Sequence, residues 1–185
     1  MSIGSLTLTR EDANALTSAF EEMYRRNFRF VWRVLRHSRV ADADLDDAAQ
    51  EVFLVALRKW NSLDTAKEIR PWLLRVARHV AARKQRSVRR AKAREEKASA
   101  PHPPEGPDVS TAQREAAQQL QDFLATLPEP QRDIFVAVDI AGMTVPQACD
   151  GLGVRLNTAY SRLRSARIAF RALVARIDRG EDCSQ

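Results

Sequence analysis

Helical periodicity across residues 42–94 is the feature that most constrains the fold. Apolar side chains recur there at spacings of three and four residues, which indicates amphipathic helices rather than strands. The first stripe consists of Ala48, Val52, Phe53, Ala56, Leu57 and Trp60. The second stripe consists of Leu73, Val76, Ala77 and Val80, and it follows Pro71. Proline suits the first turn of a helix because its missing N–H is not needed there. The stretch therefore predicts two helices separated by a polar loop over residues 61–70.

The two predicted helices carry opposite charge. The first begins with the acidic residues Asp42, Asp44, Asp46, Asp47 and Glu51. The second carries the basic residues Arg75, Arg78, Arg83, Lys84, Arg86, Arg89, Arg90, Lys92 and Arg94. The helix dipole favours acids at a helix start, but Asp47, Gln50 and Glu51 also share one face beside the apolar stripe. We therefore predict a protein-docking surface on the first helix and a nucleic-acid surface on the second.

A segment rich in proline divides the chain. Its helix-breaking residues are Pro101, Pro103, Pro104, Gly106 and Pro107, and they predict a flexible linker over residues 98–111. The fold class is accordingly predicted to be all-α, with one small helical domain over residues 1–97 and a second over residues 112–178.

The second domain shows the pattern of a helix-turn-helix. Gly142 ends one helix, Thr144 and Gln147 form a capping box at the start of the next, and residues 152–154 form a tight turn. Asn157 is predicted to cap the following helix. On that helix the inward-facing residues are Ala159, Leu163 and Ala166, and the outward-facing residues are Tyr160, Ser161, Arg162 and Arg164. Polar and cationic side chains at the start of a second helix are what major-groove recognition requires.

These motifs resemble those of a known family. The segment DAAQEVF at residues 47–53, followed by IRPWL at 69–73 and RVAR at 75–78, resembles region 2 of the extracytoplasmic-function (ECF) sigma factors of bacterial RNA polymerase. The segment NTAYSRLRSAR at residues 157–167 resembles region 4 of the same family.

The resemblance implies a sigma subunit that binds core RNA polymerase and directs promoter recognition, strand opening and initiation of transcription. It assigns core-polymerase binding to Asp47, Gln50, Glu51 and Phe53. It assigns contacts with the −10 element of promoter DNA to Trp72, Arg75, Arg78, His79, Arg83 and Arg86. It assigns contacts with the −35 element to Arg155, Asn157, Thr158, Tyr160, Ser161, Arg162 and Arg164. It further implies that the polar loop captures a flipped base, and that an anti-sigma factor clamps both domains.

The chain departs from the usual family pattern at several positions. His79 stands where many relatives have asparagine, and Arg83 where many have an acid. Tyr160 replaces a customary basic residue and Ser165 a customary arginine, which suggests altered −35 recognition. Alternatively, Tyr160 packs on the first domain or on an inhibitor, leaving its neighbouring arginines as phosphate contacts. Gly151 replaces a bulkier residue in the first helix of the motif, at a cost of about 1 kcal/mol relative to alanine.

Composition narrows the function classes further. The chain has 185 residues and a net charge of +6, which suits an anionic partner. Cys149 and Cys183 are too few for a disulfide framework or a zinc site with CxxC spacing, so no metal or cofactor is expected. No catalytic constellation is recognisable in the sequence, so the chain is not expected to be an enzyme. No targeting segment or apolar run of about 20 residues occurs, and we expect a cytoplasmic protein without membrane insertion.

Two other functions remain open. A polymerase-independent helix-turn-helix regulator would explain residues 144–176 but not the acidic helix. A helical adaptor that binds only proteins would leave the basic faces as solvated surface. Arg167 is expected to be solvated or to face phosphate in any of these proteins.

Overall fold

The structure is a computed structural model that describes residues 10–63, 68–94 and 111–179. All regular elements within these ranges are helical, which confirms the all-α prediction. The α-helices are α1 (Arg10–His37), α2 (Leu45–Lys59), α3 (Arg70–Arg94), α4 (Thr111–Thr126), α5 (Glu129–Phe135), α6 (Val145–Leu152) and α7 (Leu156–Asp178). Short 3₁₀ turns at Asp42–Asp44 and Trp60–Ser62 flank α2, and a π-helical segment, Val136–Ile140, follows α5.

Helices α1, α2 and α3 pack together as the first domain. Their shared core contains the buried aliphatic side chains Val31, Val34, Leu35, Val52, Leu73 and Leu74. Between α1 and α2 the Phe20 ring meets the Trp60 ring edge to face at 5.3 Å, and the Tyr24 ring lies 4.6 Å from the Phe53 ring. The predicted stripe on α2 is therefore buried at Ala48, Val52, Phe53 and Ala56, whereas the prediction is wrong for Leu57, which is 52% exposed.

Helices α4 to α7 form the second domain around three phenylalanine rings. The centroids of Phe123, Phe135 and Phe170 lie 5.3–5.7 Å apart, so the rings join α4, α5 and α7. Such aromatic contacts add to the free energy gained by burying the rings.

The helix-turn-helix has the predicted capping box and turn. The Gln147 backbone N–H donates to Thr144 Oγ1 at 3.4 Å, and the Thr144 backbone N–H donates to Gln147 Oε1 at 2.8 Å. Gly153 ends α6 with a φ of 66°, a left-handed conformation that glycine adopts without strain. The prediction that Asn157 caps the next helix is wrong, because α7 begins at Leu156 with Arg155 as N-cap and no side-chain cap bond.

The two domains contact each other directly. Helix α3 of the first domain packs on α6 of the second, and α1 contacts the π-helical segment. The predicted linker lies outside the described residues except for Thr111, which begins α4. The exact domain limits therefore stay a prediction.

Among the described helices, none combines the length and apolar character that crossing a membrane requires.

Candidate protein and nucleic-acid interfaces

The acidic face of α2 is open to solvent. Asp47 and Gln50 are exposed on it, and next to them Leu54 and Leu57 are 44% and 52% exposed. An apolar groove between α1 and α2 adjoins this face, lined by Phe20, Tyr24, Phe28, Asp46, Gln50, Phe53, Leu54 and Leu57. Exposed leucines bordered by polar groups are typical of a surface that another protein covers.

Two residues predicted for this surface have other contacts. Phe53 is only 4% exposed, so it forms the floor of the groove rather than a projecting contact, a correction to the expectation. Glu51 is half-buried and pairs with Arg83 of α3. The predicted polymerase face and the predicted −10 face therefore meet at one ion pair.

The second domain contacts two arginines of the basic face of α3, of which Arg75 stays exposed and Arg78 is half-buried. Arg75 Nη2 donates to the backbone carbonyl of Asp150 at 2.7 Å, and Arg78 Nη2 donates to Asp133 Oδ2 at 2.5 Å. The Asp133 side chain is 12% exposed. Burial raises the pKa of the Asp133 carboxyl, while the charge of Arg78 acts in the opposite direction. Both arginines therefore have hydrogen-bond partners in the second domain.

The remaining predicted −10 residues lie around these two arginines. Trp72 is half-buried against the core, and His79 is exposed. Arg86 is exposed and donates to the Ala82 carbonyl of its own helix at 3.1 Å. Residues 64–67 of the predicted base-capturing loop lie outside the described residues.

The predicted −35 face on α7 differs from the α3 face in the partners of its side chains. Its residues are Arg155, Asn157, Thr158, Tyr160, Ser161, Arg162 and Arg164, of which Thr158 and Arg162 are half-buried and the others exposed. No side chain of this set has a hydrogen-bond or ion-pair partner within the described ranges. Tyr160 is 52% exposed, so it does not pack on the first domain. These side chains are positioned to enter a groove of duplex DNA.

Arg167 is exposed, as expected, but it also has a partner that was not expected. Its guanidinium makes two hydrogen bonds with the Asp139 carboxylate, at 3.0 Å from Nε and 2.6 Å from Nη2. This bidentate pair ties α7 to the π-helical segment. It also raises the pKa of Arg167, chiefly through the hydrogen bonds to Asp139.

Two further contacts between the domains were not predicted from the sequence. Arg39, at a φ of 59°, donates to the Ala125 carbonyl at 2.5 Å, and Gln147 Nε2 donates to Glu68 Oε2 at 2.6 Å. Only Gly151 gave a signal in the sequence, because the family usually has a bulkier residue there. A Cβ at Gly151 would lie 2.8 Å from the Pro71 carbonyl oxygen.

The described residues contain no group of three or more histidine, cysteine, aspartate or glutamate side chains placed to hold a metal ion. Cys149 is buried, and burial raises the pKa of its thiol.

A helix-turn-helix with a solvent-facing second helix, joined to a domain with a separate docking face, defines a DNA-binding protein that also recruits a protein partner. Two family models match this chain: Sigma-70 region 2 over residues 23–91 and Sigma-70, region 4 over residues 117–170. Each match coincides with one of the two domains.

Relatives of known identity match nearly the whole chain. The ECF RNA polymerase sigma factor SigM of Mycobacterium tuberculosis is 32% identical over 179 residues, covering 92% of this chain and 88% of SigM. The RNA polymerase sigma factor NccH of Alcaligenes xylosoxydans xylosoxydans is 28% identical over 177 residues, covering 90% of this chain and 92% of NccH. The chain therefore belongs to the ECF sigma factors of the sigma-70 family, which bind core RNA polymerase and direct it to promoters.

Two solved structures share the fold. CnrH in complex with the cytosolic domain of CnrY has a TM-score of 0.67 at 22% identity, covering 88% of this chain and 94% of CnrH. The sigma factor RpoE of Bartonella quintana, in complex with the anti-sigma factor NepR, has a TM-score of 0.68 at 17% identity, covering 85% and 97%. At these identities the likeness concerns the fold alone.

Proposed function

We propose that this sigma factor docks on core RNA polymerase through the acidic face of α2 and contacts promoter DNA through α3 and α7. The observation that carries the docking assignment is the exposure of Asp47 and Gln50 beside Leu54 and Leu57. An apolar centre with a polar rim is the usual anatomy of a protein interface. The buried Phe53 side chain lies beneath this face, at the floor of the groove.

We assign the −10 contacts to α3 and the −35 contacts to α7. Arg75, Arg78 and Arg86 on α3 would follow the backbone of the −10 strand, because a basic groove tracks single-stranded DNA. Arg162 and Arg164 on α7 would bind guanine edges or phosphates of the −35 duplex. Binding should weaken with rising salt, since each phosphate contact releases counterions.

Membership of this family also indicates which proteins this chain would bind and where in the cell it would act. The two similar structures pair CnrH with CnrY and RpoE with the anti-sigma factor NepR, and this chain would likewise be held by an anti-sigma factor. Sigma factors act by binding rather than by catalysis, and this chain would act in the same way. Its place of action would be the cytoplasm, where the polymerase transcribes.

The docking assignment predicts the behaviour of one double variant. Asp47→Ala with Gln50→Ala should weaken binding to core polymerase by about tenfold or more, because it removes two polar interactions of roughly 1 kcal/mol each. Co-elution of purified protein and sigma-free core polymerase on a sizing column, followed by titration, measures the change.

The matched control is Glu22→Ala with Arg26→Ala, which removes an exposed ion pair on α1. These two positions lie on the side of α1 opposite Phe20 and Tyr24, which line the groove. The control should bind like the wild type. Equal affinity of the two folded double variants would refute the assignment of this face.

A further inference from the structure

Two exposed apolar side chains lie at the start of α7. Leu156 is the first residue of this helix, and Tyr160 follows one turn later. Leu156 is 45% exposed and Tyr160 is 52% exposed, and neither is among the described apolar side chains that pack on the core. Residues four apart lie on the same side of a helix. The two side chains therefore form one apolar patch, whereas exposed apolar residues that need no explanation are scattered singly.

The patch lies where a helix-turn-helix contacts base edges. In this motif the N-terminal residues of the second helix enter the major groove, and the patch occupies the first two turns of α7. Arg155 precedes the patch and Arg164 follows it by one turn, and both are exposed. Cations beside the patch suit the phosphate backbone on either side of the groove. These surroundings favour duplex DNA over an apolar segment of another protein as the occupant of the patch.

The major groove contains one apolar group that matches this patch. That group is the C5-methyl of thymine, whereas guanine, adenine and cytosine present hydrogen-bond donors and acceptors there. Leucine has no side-chain donor or acceptor, and tyrosine has only its hydroxyl. A basic side chain at residue 160 would instead pair with the O6 and N7 atoms of guanine. The chemistry of Leu156 and Tyr160 therefore favours thymine.

A side chain suited to the base opposite thymine lies next to the patch. Asn157 is exposed and precedes Tyr160 by three residues, so the two side chains are neighbours on the helix surface. An asparagine amide pairs with the N6 and N7 atoms of adenine. The first two turns of α7 thus carry groups suited to both bases of an A·T pair.

We propose that Leu156 and Tyr160 make this sigma factor specific for thymine in the −35 element, through apolar contact with C5-methyl groups in the major groove. The proposal rests on the −35 role of α7 argued above. It assigns base specificity to the apolar patch and leaves phosphate or guanine contacts to Arg162 and Arg164. A tyrosine in place of a basic residue then changes the −35 sequence that is bound and does not abolish its recognition.

Removal of single methyl groups from DNA tests the proposal. Holoenzyme made from this protein and sigma-free core polymerase is first used to select duplexes from a pool of random sequence. A selected duplex is then remade with deoxyuridine in place of each thymine in turn, which removes only the C5-methyl group. At one or two thymines of the −35 element the affinity should fall about fourfold, the factor that corresponds to about 0.8 kcal/mol for one buried methyl group.

Two substitutions at residue 160 connect this effect with the tyrosine ring. Tyr160→Phe retains the ring and should keep the fourfold difference between thymine and uracil. Tyr160→Lys removes the ring, so its holoenzyme should bind the thymine and uracil duplexes equally at that position. In a fresh selection Tyr160→Lys should prefer guanine there.

The matched control is Val174→Ala, which shortens another exposed apolar side chain of α7. Val174 is 39% exposed and lies about four turns after Tyr160, away from the turns that enter the groove. Its holoenzyme should distinguish thymine from uracil as the wild type does. A Tyr160→Lys holoenzyme that distinguishes the two bases as well as this control does would overturn the proposal.

Failure of the proposed function gives a different result. If no holoenzyme forms, or if the selected duplexes share no −35 sequence, the −35 role of α7 is wrong and the thymine contact is wrong with it. If a −35 sequence is selected but uracil replaces every thymine without loss of affinity, only the thymine contact is wrong. The second result would indicate that a protein covers the patch.

Discussion

Helices α3 and α7 carry similar basic side chains, but their surroundings differ. On α3 the central arginines are bound by the second domain, through the Asp150 carbonyl and the Asp133 carboxylate. On α7 Arg155 and Arg164 are exposed and have no side-chain partner within the described part of the chain. The comparison teaches that charge pattern identifies a DNA-binding helix but does not tell whether its side chains have partners within the chain. Those partners are decided by contacts between residues far apart in sequence.

The largest expected effect comes from removing the two arginines of α3 that contact the second domain. Arg75→Ala with Arg78→Ala should open the chain, because Asp133 loses its partner, and should also abolish most promoter opening. Two hydrogen bonds from charged groups are together worth about 3–6 kcal/mol. Scattering and permanganate detection of melted promoter DNA, on the holoenzyme, measure the two results. A variant that melts promoter DNA as the wild type does would remove α3 from the −10 contact.

A smaller effect, confined to the exposed helix, is expected for Arg162→Ala with Arg164→Ala. Promoter affinity of the holoenzyme should fall by about 1–3 kcal/mol for each arginine that pairs with a base edge, or less if both residues contact phosphate. Titration at several salt concentrations separates the cases, because phosphate contacts also reduce the salt slope. The free protein should scatter like the wild type, and an opened chain would contradict the separation of roles between α3 and α7.

The smallest expected effect is that of pH on the contact between α1 and α4 at His37. Gln121 Nε2 of α4 lies 3.2 Å from His37 Nδ1, a hydrogen bond that needs an unprotonated Nδ1. Burial, together with the charges of Arg36 and Arg33, lowers the pKa of His37 to about 4.

Because the pKa of His37 is low, the packing of the second domain on the first should depend on pH. In a separated state His37 is less buried, so its pKa is higher than in the closed state and it binds more protons at acid pH. The His37 contribution to closure is therefore complete above about pH 6.5 and is lost as the pH falls towards 4. Asp133 acts in the opposite sense, because burial raises the pKa of its carboxyl.

Comparison with His37→Gln isolates the histidine. Scattering between pH 7 and pH 4.5 should show the wild type opening more than this variant, which cannot titrate at residue 37. Identical pH profiles for the two proteins would exclude His37 as a contributor.

Local patterns in the sequence were sufficient to predict the helices and both ends of α6. The spacing of Val52 and Ala56 predicts the buried side of α2 because helix periodicity follows directly from residue order. The capping box of Thr144 and the left-handed turn at Gly153 are equally local, and both are confirmed. Asn157 was misplaced because helix ends depend on one or two residues of context.

The domain contact could not be predicted in this way. Arg75 and its partner carbonyl are 75 residues apart, and Arg78 and Asp133 are 55 residues apart. No periodicity connects positions on two domains, so only the unusual Gly151 signalled a close approach. The pairing of Arg167 with Asp139, 28 residues apart within the second domain, was not predicted because helix periodicity does not report contacts between different elements.

One distance measurement tests directly whether the second domain packs on α3 in the free protein and leaves it in the promoter complex. Spin labels at Ser87→Cys on α3 and Ser165→Cys on α7, with Cys183→Ser, leave only buried Cys149 as a competing thiol; both label positions are exposed. Pulsed electron paramagnetic resonance should give a short, narrow distance distribution for the free protein. It should lengthen by tens of ångströms when core polymerase and promoter DNA are added. A long distribution in the free protein, or an unchanged short one in the promoter complex, would contradict the account.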